Sequence, residues 1–232
     1  MYRSFTFAGK DLYKDFACYI DSVQESAPVK KEYKHTIPYR SGAINFSKIY
    51  KNPTYEERKL VYTVDVVGDT EEGLIIDKME MRNWLLCGEY GELIDSAIPG
   101  WHYLMECVEI SETDEILKGT FTITFKGYPF LVKDIPEGDV LWDSFCFDTD
   151  VLQETSFVAT LENTDVIIIN SGANEQYADI VVTGNVNVTQ DGKVKTWSEG
   201  RYSNAYLLTM GENTFTIYGD GTIEFIFYKE SL

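Results

Sequence analysis

The chain has 232 residues, 44% of them hydrophobic and 25% charged, which is ordinary globular composition with room for one large or two modest cores. Its formal charge of −18 argues against gripping nucleic acid or another polyanion by counterion release. No apolar run approaches the roughly 20 residues of a membrane helix, and MYRSFTFAGKDLYKDF lacks the apolar block of a signal peptide, so cytoplasmic synthesis without membrane insertion is the expectation.

The first elements alternate polar and apolar residues: YRSFTF (2–7), FACYIDSV (16–23), LVYTVDVV (60–67) and GTFTITF (119–125) have the period of two of half-buried strands. Between them, Ala27 to Lys59 holds eight Lys or Arg against three Glu, a local charge of +5 in an acidic chain. Pro28, Pro38, Gly42, Asn45, Asn52 and Pro53 break it up, which predicts an irregular basic arm. A solvated loop is the plain alternative.

Next comes the one helical segment, DTEEGLIIDKMEMRNWLLCG. Leu74, Ile75, Met79, Met81, Leu85 and Leu86 share a broad stripe. Asp69 with Glu72 makes a capping box, and Gly88 a left-handed stop, predicting a helix over about 70–87. The first half is therefore expected to be α+β, with strands and one main helix, over 1–130.

GYPFLVKDIPEGDVLWD, at 127–143, is the expected domain boundary. Past it come short strands, with Asp191-Gly192 and Gly219-Asp220-Gly221 placed as hairpin turns. Such spacing predicts an all-β sandwich or jelly roll over 131–232. That half carries 5 basic and 17 acidic residues, suited to solubility or to repelling DNA.

A search for chemistry ends without a catalytic constellation. There is no phosphate-binding GxxxxGK[ST], no GxGxxG after a strand and no GxSxG elbow, so the expectation is a protein that is not an enzyme. Cys18, Cys87, Cys107 and Cys146 show no CxxC pairing and, with His35 and His102, no zinc spacing; buried reduced thiols and a structural His102 are expected, with no metal or cofactor. Asp139, Asp143, Asp148 and Asp150 match no calcium loop and are taken as solvated surface. Among the aromatics of the second half (Trp142, Trp197, Tyr177, Tyr202, Tyr206, Tyr218), strand packing is the first reading; stacking on sugars, with Trp197 and Tyr202 as candidates, is the other.

FTFAGKD, then HTIPYRSGAINFSKIY (35–50), then YEERKLVYTVDV with Tyr55, Glu56 and Arg58 opening a strand, resemble the N-terminal domain of phage distal tail proteins. The likeness runs on through the helix, GELIDSAIPGWHYLMECVEI and KGTFTITFKGYPF, and into LWDSFCFDTDVLQETSF, IINSGANEQYADIVVTG and GDGTIEFIFYKESL. What the resemblance implies is a structural protein of a siphophage tail tip (or of a prophage or tail-like particle), present in the virion and made in the host bacterial cytoplasm. In that family N-terminal domains form a hexameric ring through which DNA passes without tight binding, and an extended belt arm, here about 27–59, reaches along the neighbouring subunit. A galectin-like β-sandwich faces outward. Implied partners are further copies of itself in a homo-hexamer, the tail tube protein, a tail-tip hub or tail-associated lysin-type protein, and a receptor-binding protein. The belt residues expected at the subunit interface are Lys30, Lys31, Lys34, Tyr39, Arg40, Phe46, Lys48 and Tyr50. A carbohydrate-binding module acting in cell-wall adsorption is the alternative function. No large inserted sugar-binding module is present, which weakens direct host binding.

Overall fold

The computed structural model describes residues 2–39, 41–47, 53–67, 70–114, 118–139, 145–147 and 150–232. Two compact units emerge, Met1–Val132 together with Leu232, and Lys133–Ser231. Strands dominate both.

In the first unit, β1 (Phe5–Phe7), β2 (Lys10–Asp11), the short α1 (Leu12–Phe16) and β3 (Tyr19–Glu25) precede the small strands β4 (Lys34–Thr36) and β5 (Ala43–Asn45). Then follow β6 (Arg58–Val67), α2 (Glu71–Cys87), β7 (Gly91–Asp95), β8 (Trp101–Asp114) and β9 (Lys118–Lys133). One sheet runs in the order β2-β1-β7-β8-β9-β6-β3. Alternation decides which face is covered: on β6 Leu60, Tyr62, Val64 and Val66 are buried, and on β9 Phe121, Ile123 and Phe125 join them. FACYIDSV is divided, because Asp11 caps α1 through the amides of Tyr13 and Lys14 and strand structure begins only at Tyr19. β9 continues through Pro129 to Lys133, past Gly127, where β6 stops pairing with it.

α2 lies on this core with a narrower stripe than the sequence suggests. Leu74, Lys78, Met81, Trp84 and Leu85 are buried, whereas Ile75, Met79 and Leu86 are about half exposed. Apolar residues fill more than half the helix circumference, and the sheet covers one side only. Trp84, outside the expected stripe, is the anchor: its Nε1 donates to the Phe7 carbonyl at 2.7 Å and its ring stacks on Phe16. Burying each large apolar side chain is worth about 1.5–3 kcal/mol, more than helix propensity supplies. The N-cap is Thr70, whose hydroxyl accepts from the Gly73 amide at 3.1 Å; Asp69 lies outside the described residues and Glu72 is not the third helical residue a capping box needs. Gly88 is extended (φ −67°), not left-handed; a Cβ there would stand 2.6 Å from the Phe7 ring, so packing demands the glycine.

The second unit holds β10 (Ser156–Ala159), β11 (Thr164–Asn170), β12 (Gln176–Gln190), β13 (Lys193–Trp197), β14 (Gly200–Leu208) and β15 (Gly211–Ile226). Two strands of 15 and 16 residues pair along their length, β12 with β15, in place of a run of short strands. β14 and β13 flank successive halves of β12, and β11 and β10 flank successive halves of β15. Ten residues along a straight strand span about 33 Å, yet the rings of Phe215 and Phe225, both on β15, have centroids 5.0 Å apart. The paired strands therefore fold across their middle and enclose Ile180, Val188, Phe215, Ile217, Ile223 and Phe225.

Gly219-Asp220-Gly221 is consequently no hairpin turn. It is the fold line of one strand, and Gly184 crosses it on β12. A Cβ on Gly184, Gly219 or Gly221 would come within 2.3, 2.3 and 2.0 Å of a carbonyl oxygen on the facing strand. Asp191-Gly192 does turn a hairpin: both φ are positive (51° and 74°) between the paired Gln190 and Lys193.

Candidate self-association surface

The basic arm is built outward from the first sheet. β3 and β6 pair antiparallel through Val23↔Tyr62, Gln24↔Val61 and Glu25↔Leu60. The same register continues beyond both strands. Ser26 N donates to Lys59 O, Glu56 N to Val29 O at 2.7 Å, and Lys31 N to Thr54 O at 2.8 Å, with Lys30 bridged to Tyr55. Farther out, Phe46 N donates to Tyr33 O, and Lys34↔Asn45, His35↔Ile44 and Thr36↔Ala43 pair as β4 and β5. Among the described residues the arm is thus a ribbon paired over two stretches, 26–31 with 54–59 and 33–36 with 43–46, in place of the expected irregular segment. Pro38 and Pro53 sit outside the paired stretches, and Pro28 falls inside one, between Ser26 and Val29, whose backbone groups make the bonds to the facing chain.

At its base Arg58, the first residue of β6, has a side chain only 2% exposed. Its Nη1 donates to Glu25 Oε1 at 2.9 Å, Tyr103 OH donates to the same oxygen at 3.1 Å, and the guanidinium lies 5.5 Å from the Tyr103 ring centre. Burial and the Glu25 charge push the Tyr103 hydroxyl up, keeping it a donor. The Tyr55 ring meets Phe130 edge-on at 5.4 Å, and Glu57 pairs with Lys126 at 2.5 Å. Arg58 therefore belongs to the foundation and not to the arm's outward charge. Glu25 and Tyr103 escaped the sequence reading because their partners are far off in the chain.

Lys30 and Lys34 are exposed, Lys31 is half-buried, and Lys34 also pairs with Glu32. Tyr39 is fully exposed where the ribbon turns (φ 65°), and Phe46 is exposed. Arg40, Lys48 and Tyr50 lie outside the described residues. Strand alternation puts Val29, Lys31, Tyr33, His35 and Ile37 on one face, and Phe46 joins it opposite Tyr33. Of these, Val29 is 68% and Tyr33 59% exposed, so the chain leaves this apolar face in water. A two-stranded ribbon is marginal alone, and this one is rooted in the first sheet through β3 and β6.

In the second unit Trp197 and Tyr202 are brought together, with ring centroids 4.6 Å apart, both packed against the core. Trp197 Nε1 donates to Tyr206 OH at 2.7 Å, and Lys195 Nζ lies 5.0 Å from the Tyr206 ring centre and 5.8 Å from that of Trp197. Asp150 departs from the solvated surface expected of it: its side chain is 3% exposed and bonded to Lys133 (2.8 Å) and Lys229 (3.3 Å). Asp139 is exposed, while Trp142, Asp143 and Asp148 lie outside the described residues. The cysteines are not uniformly buried. Cys18 is, and burial pushes its thiol up to about 12, but Cys107 is half-buried and Cys87 and Cys146 are exposed.

The chain thus builds a sheet with one long helix, then a folded-over sheet, and extends the first sheet by a paired ribbon. The family described as the phage tail protein RIFT-related domain matches residues 9–126, half of the chain, and the protein belongs to it. Among solved structures it is similar to the Dit protein (gp 19.1) of phage SPP1, with 15% identity, a TM-score of 0.69 and coverage of 100% of both chains. That protein is described as a paradigm of the hub adsorption apparatus in phages infecting Gram-positive bacteria. The fold is shared over the whole length, as the sequence resemblance to distal tail proteins implied. Comparison with curated proteins gives no match.

Proposed function

We propose that the protein is the structural hub subunit of a siphophage, prophage or tail-like-particle tail tip, six copies of which close into a ring. The ring joins the tail tube to a hub or lysin-type protein and to receptor-binding proteins, and DNA passes through it. The observation that carries this reading is the ribbon: positively charged and apolar on one face, on a chain of charge −18. A projecting element that fits a different surface of an identical copy makes a heterologous contact, and such contacts close into rings when the rotation per subunit is right. The α+β first unit forms the ring in this reading, and the all-β second unit, a galectin-like sandwich, faces outward towards the other tip proteins.

Solution mass together with electron microscopy of the purified chain tests it. Rings of six are expected, weakened by added salt and by Lys30, Lys31, Lys34 and Arg40 changed together to Ser, with the circular dichroism of each subunit unchanged. Assembly indifferent to both would reduce the ribbon's charge to a solvated feature. No other observation favours sugar binding, since Trp197 and Tyr202 are engaged with each other and with Tyr206.

A further inference from the structure

The outward flank of α2 carries a second apolar stripe. Ile75, Met79 and Leu86 fall at helical spacing about a third of a turn from the buried stripe, Ile76 lies beside them, and all four are 51–55% exposed. The exposed charges on this helix are mostly acidic. Glu71, Glu72, Asp77 and Glu80 are exposed, Lys78 is buried, and Arg82 is paired with Glu112 of β8. The flank is therefore apolar with an acidic border.

The ribbon presents the complement, an apolar row of Val29, Tyr33, Ile37 and Phe46 with Lys31 on the same face and Lys30 and Lys34 on the opposite one. Both surfaces are exposed in the same chain, so the ribbon is not lying on its own helix. We propose that the α2 flank is the acceptor for the ribbon of a second copy, Tyr33 and Phe46 seating on Ile75, Met79 and Leu86, with the ribbon lysines along the acidic border. This rests on the ribbon-mediated ring and names the surface the ribbon grips. Charge complementarity favours a copy of the same chain, because the acidic surfaces of two copies repel each other while the ribbon lysines of one attract the acidic border of the helix on the other. Apolar rows on both sides supply the non-directional part of the contact.

A head-to-tail contact of this kind has a diagnostic. Variant one, Tyr33→Ser with Phe46→Ser, loses the ribbon face and keeps the helix flank. Variant two, Ile75→Asp with Met79→Asp, loses the flank and keeps the ribbon. All four positions are exposed, so each subunit should keep its circular dichroism and melting temperature. Each variant alone is expected at single-subunit mass under conditions where the native chain assembles. Mixed, they can make one contact and no more, so a two-subunit species should appear. As a second measurement, Phe46→Cys combined with Met79→Cys should give, on mild oxidation, a ladder of linked subunits whose joined peptides contain residues 46 and 79. If variant two assembles like the native chain, or its mixture with variant one gives no dimer, the acceptor is another surface and the ring reading survives. A native chain that stays single at every concentration and salt tested overturns both.

Discussion

Changing Gly184 to Ala tests whether the second unit is held by a folded double strand. Two separate costs are built into that position. Its φ of +78° is left-handed, which costs a residue with a Cβ about 1–2 kcal/mol. The added carbon would also stand 2.3 Å from the Asp220 carbonyl oxygen, forcing the two strands apart where they bend. Overpacking of that sort costs about 1–3 kcal/mol. Two neighbours separate the terms. Gly192 has nearly the same φ, +74°, with nothing within 4 Å of the added atom, so Gly192→Ala carries the strain alone. Gly221 has no left-handed φ but would meet Thr183 O at 2.0 Å, so Gly221→Ala carries the clash alone. For a unit of about 100 residues, 1 kcal/mol moves the melting temperature by roughly 4–8 °C. Gly184→Ala should then lower it by about 8–40 °C and each of the other two by less, with the Gly184 shift near the combined effect. Thermal melts followed by circular dichroism give all three values. If Gly221→Ala is as mild as an ordinary surface change, about 0.5 kcal/mol, the strands do not approach as described and the fold-line argument fails.

Acid titration of the same unit should show two groups of opposite sign. Burial raises the Glu137 carboxyl above its ordinary 4.5 despite nearby Lys133 and Lys229, so the folded state holds its proton more tightly. Stability should therefore rise as pH falls through that raised value, and Glu137→Gln should abolish the gain in urea melts taken across pH. Burial alone would also raise Asp150, but hydrogen bonds from Lys133, the Cys146 amide and Lys229 outweigh it and hold it below 3.8. Its contribution is present above 3.8 and lost as pH falls through the lowered value; Asp150→Asn should remove that acid-side loss, and an unchanged curve would contradict the assignment. A glycan array should give no binding at physiological salt, and sub-millimolar affinity lost on Trp197→Ala or Tyr202→Ala would reverse this. Assembled rings should leave duplex DNA unshifted on a gel at about 150 mM salt, because phosphates bind where Lys and Arg neutralise them and the proposed ring commits the ribbon lysines to subunit contacts. Tight retention would mean that they face the lumen.

What the sequence disclosed and what it hid follow one physical line. LVYTVDVV announces a half-buried strand because its own alternation decides the matter, and β6 spans Arg58–Val67. Glycines at 219 and 221 are ambiguous by the same standard: they allow a tight turn or a close crossing, and the choice rests on pairing with β12, tens of residues upstream. The charge of the arm is legible residue by residue, but its pairing is not. Lys30 meets Tyr55 across a loop whose prolines argue against any strand, and the register is imposed by β3 and β6 behind it. Arg58 counted as an arm charge for want of its distant partner Tyr103, whose ring covers it. Local chemistry was visible, and long-range partnership was not.

That limit also explains why the ribbon's two properties belong together. Copies of a chain carrying −18 repel one another in almost every orientation, so chance apolar contacts between them are short-lived. Lysines on one projecting element make a single approach favourable, and this sets orientation and rate more than strength. Tyr33 and Phe46 on the same element then convert a correct encounter into a lasting one by leaving water. An arm with the charge alone would associate quickly and let go; one with the apolar face alone would meet any exposed helix or sheet. Placing both on a ribbon rooted through buried Arg58 ties the proposed contact to the folded first unit, so that in this reading a subunit joins a ring only after its own sheet has formed.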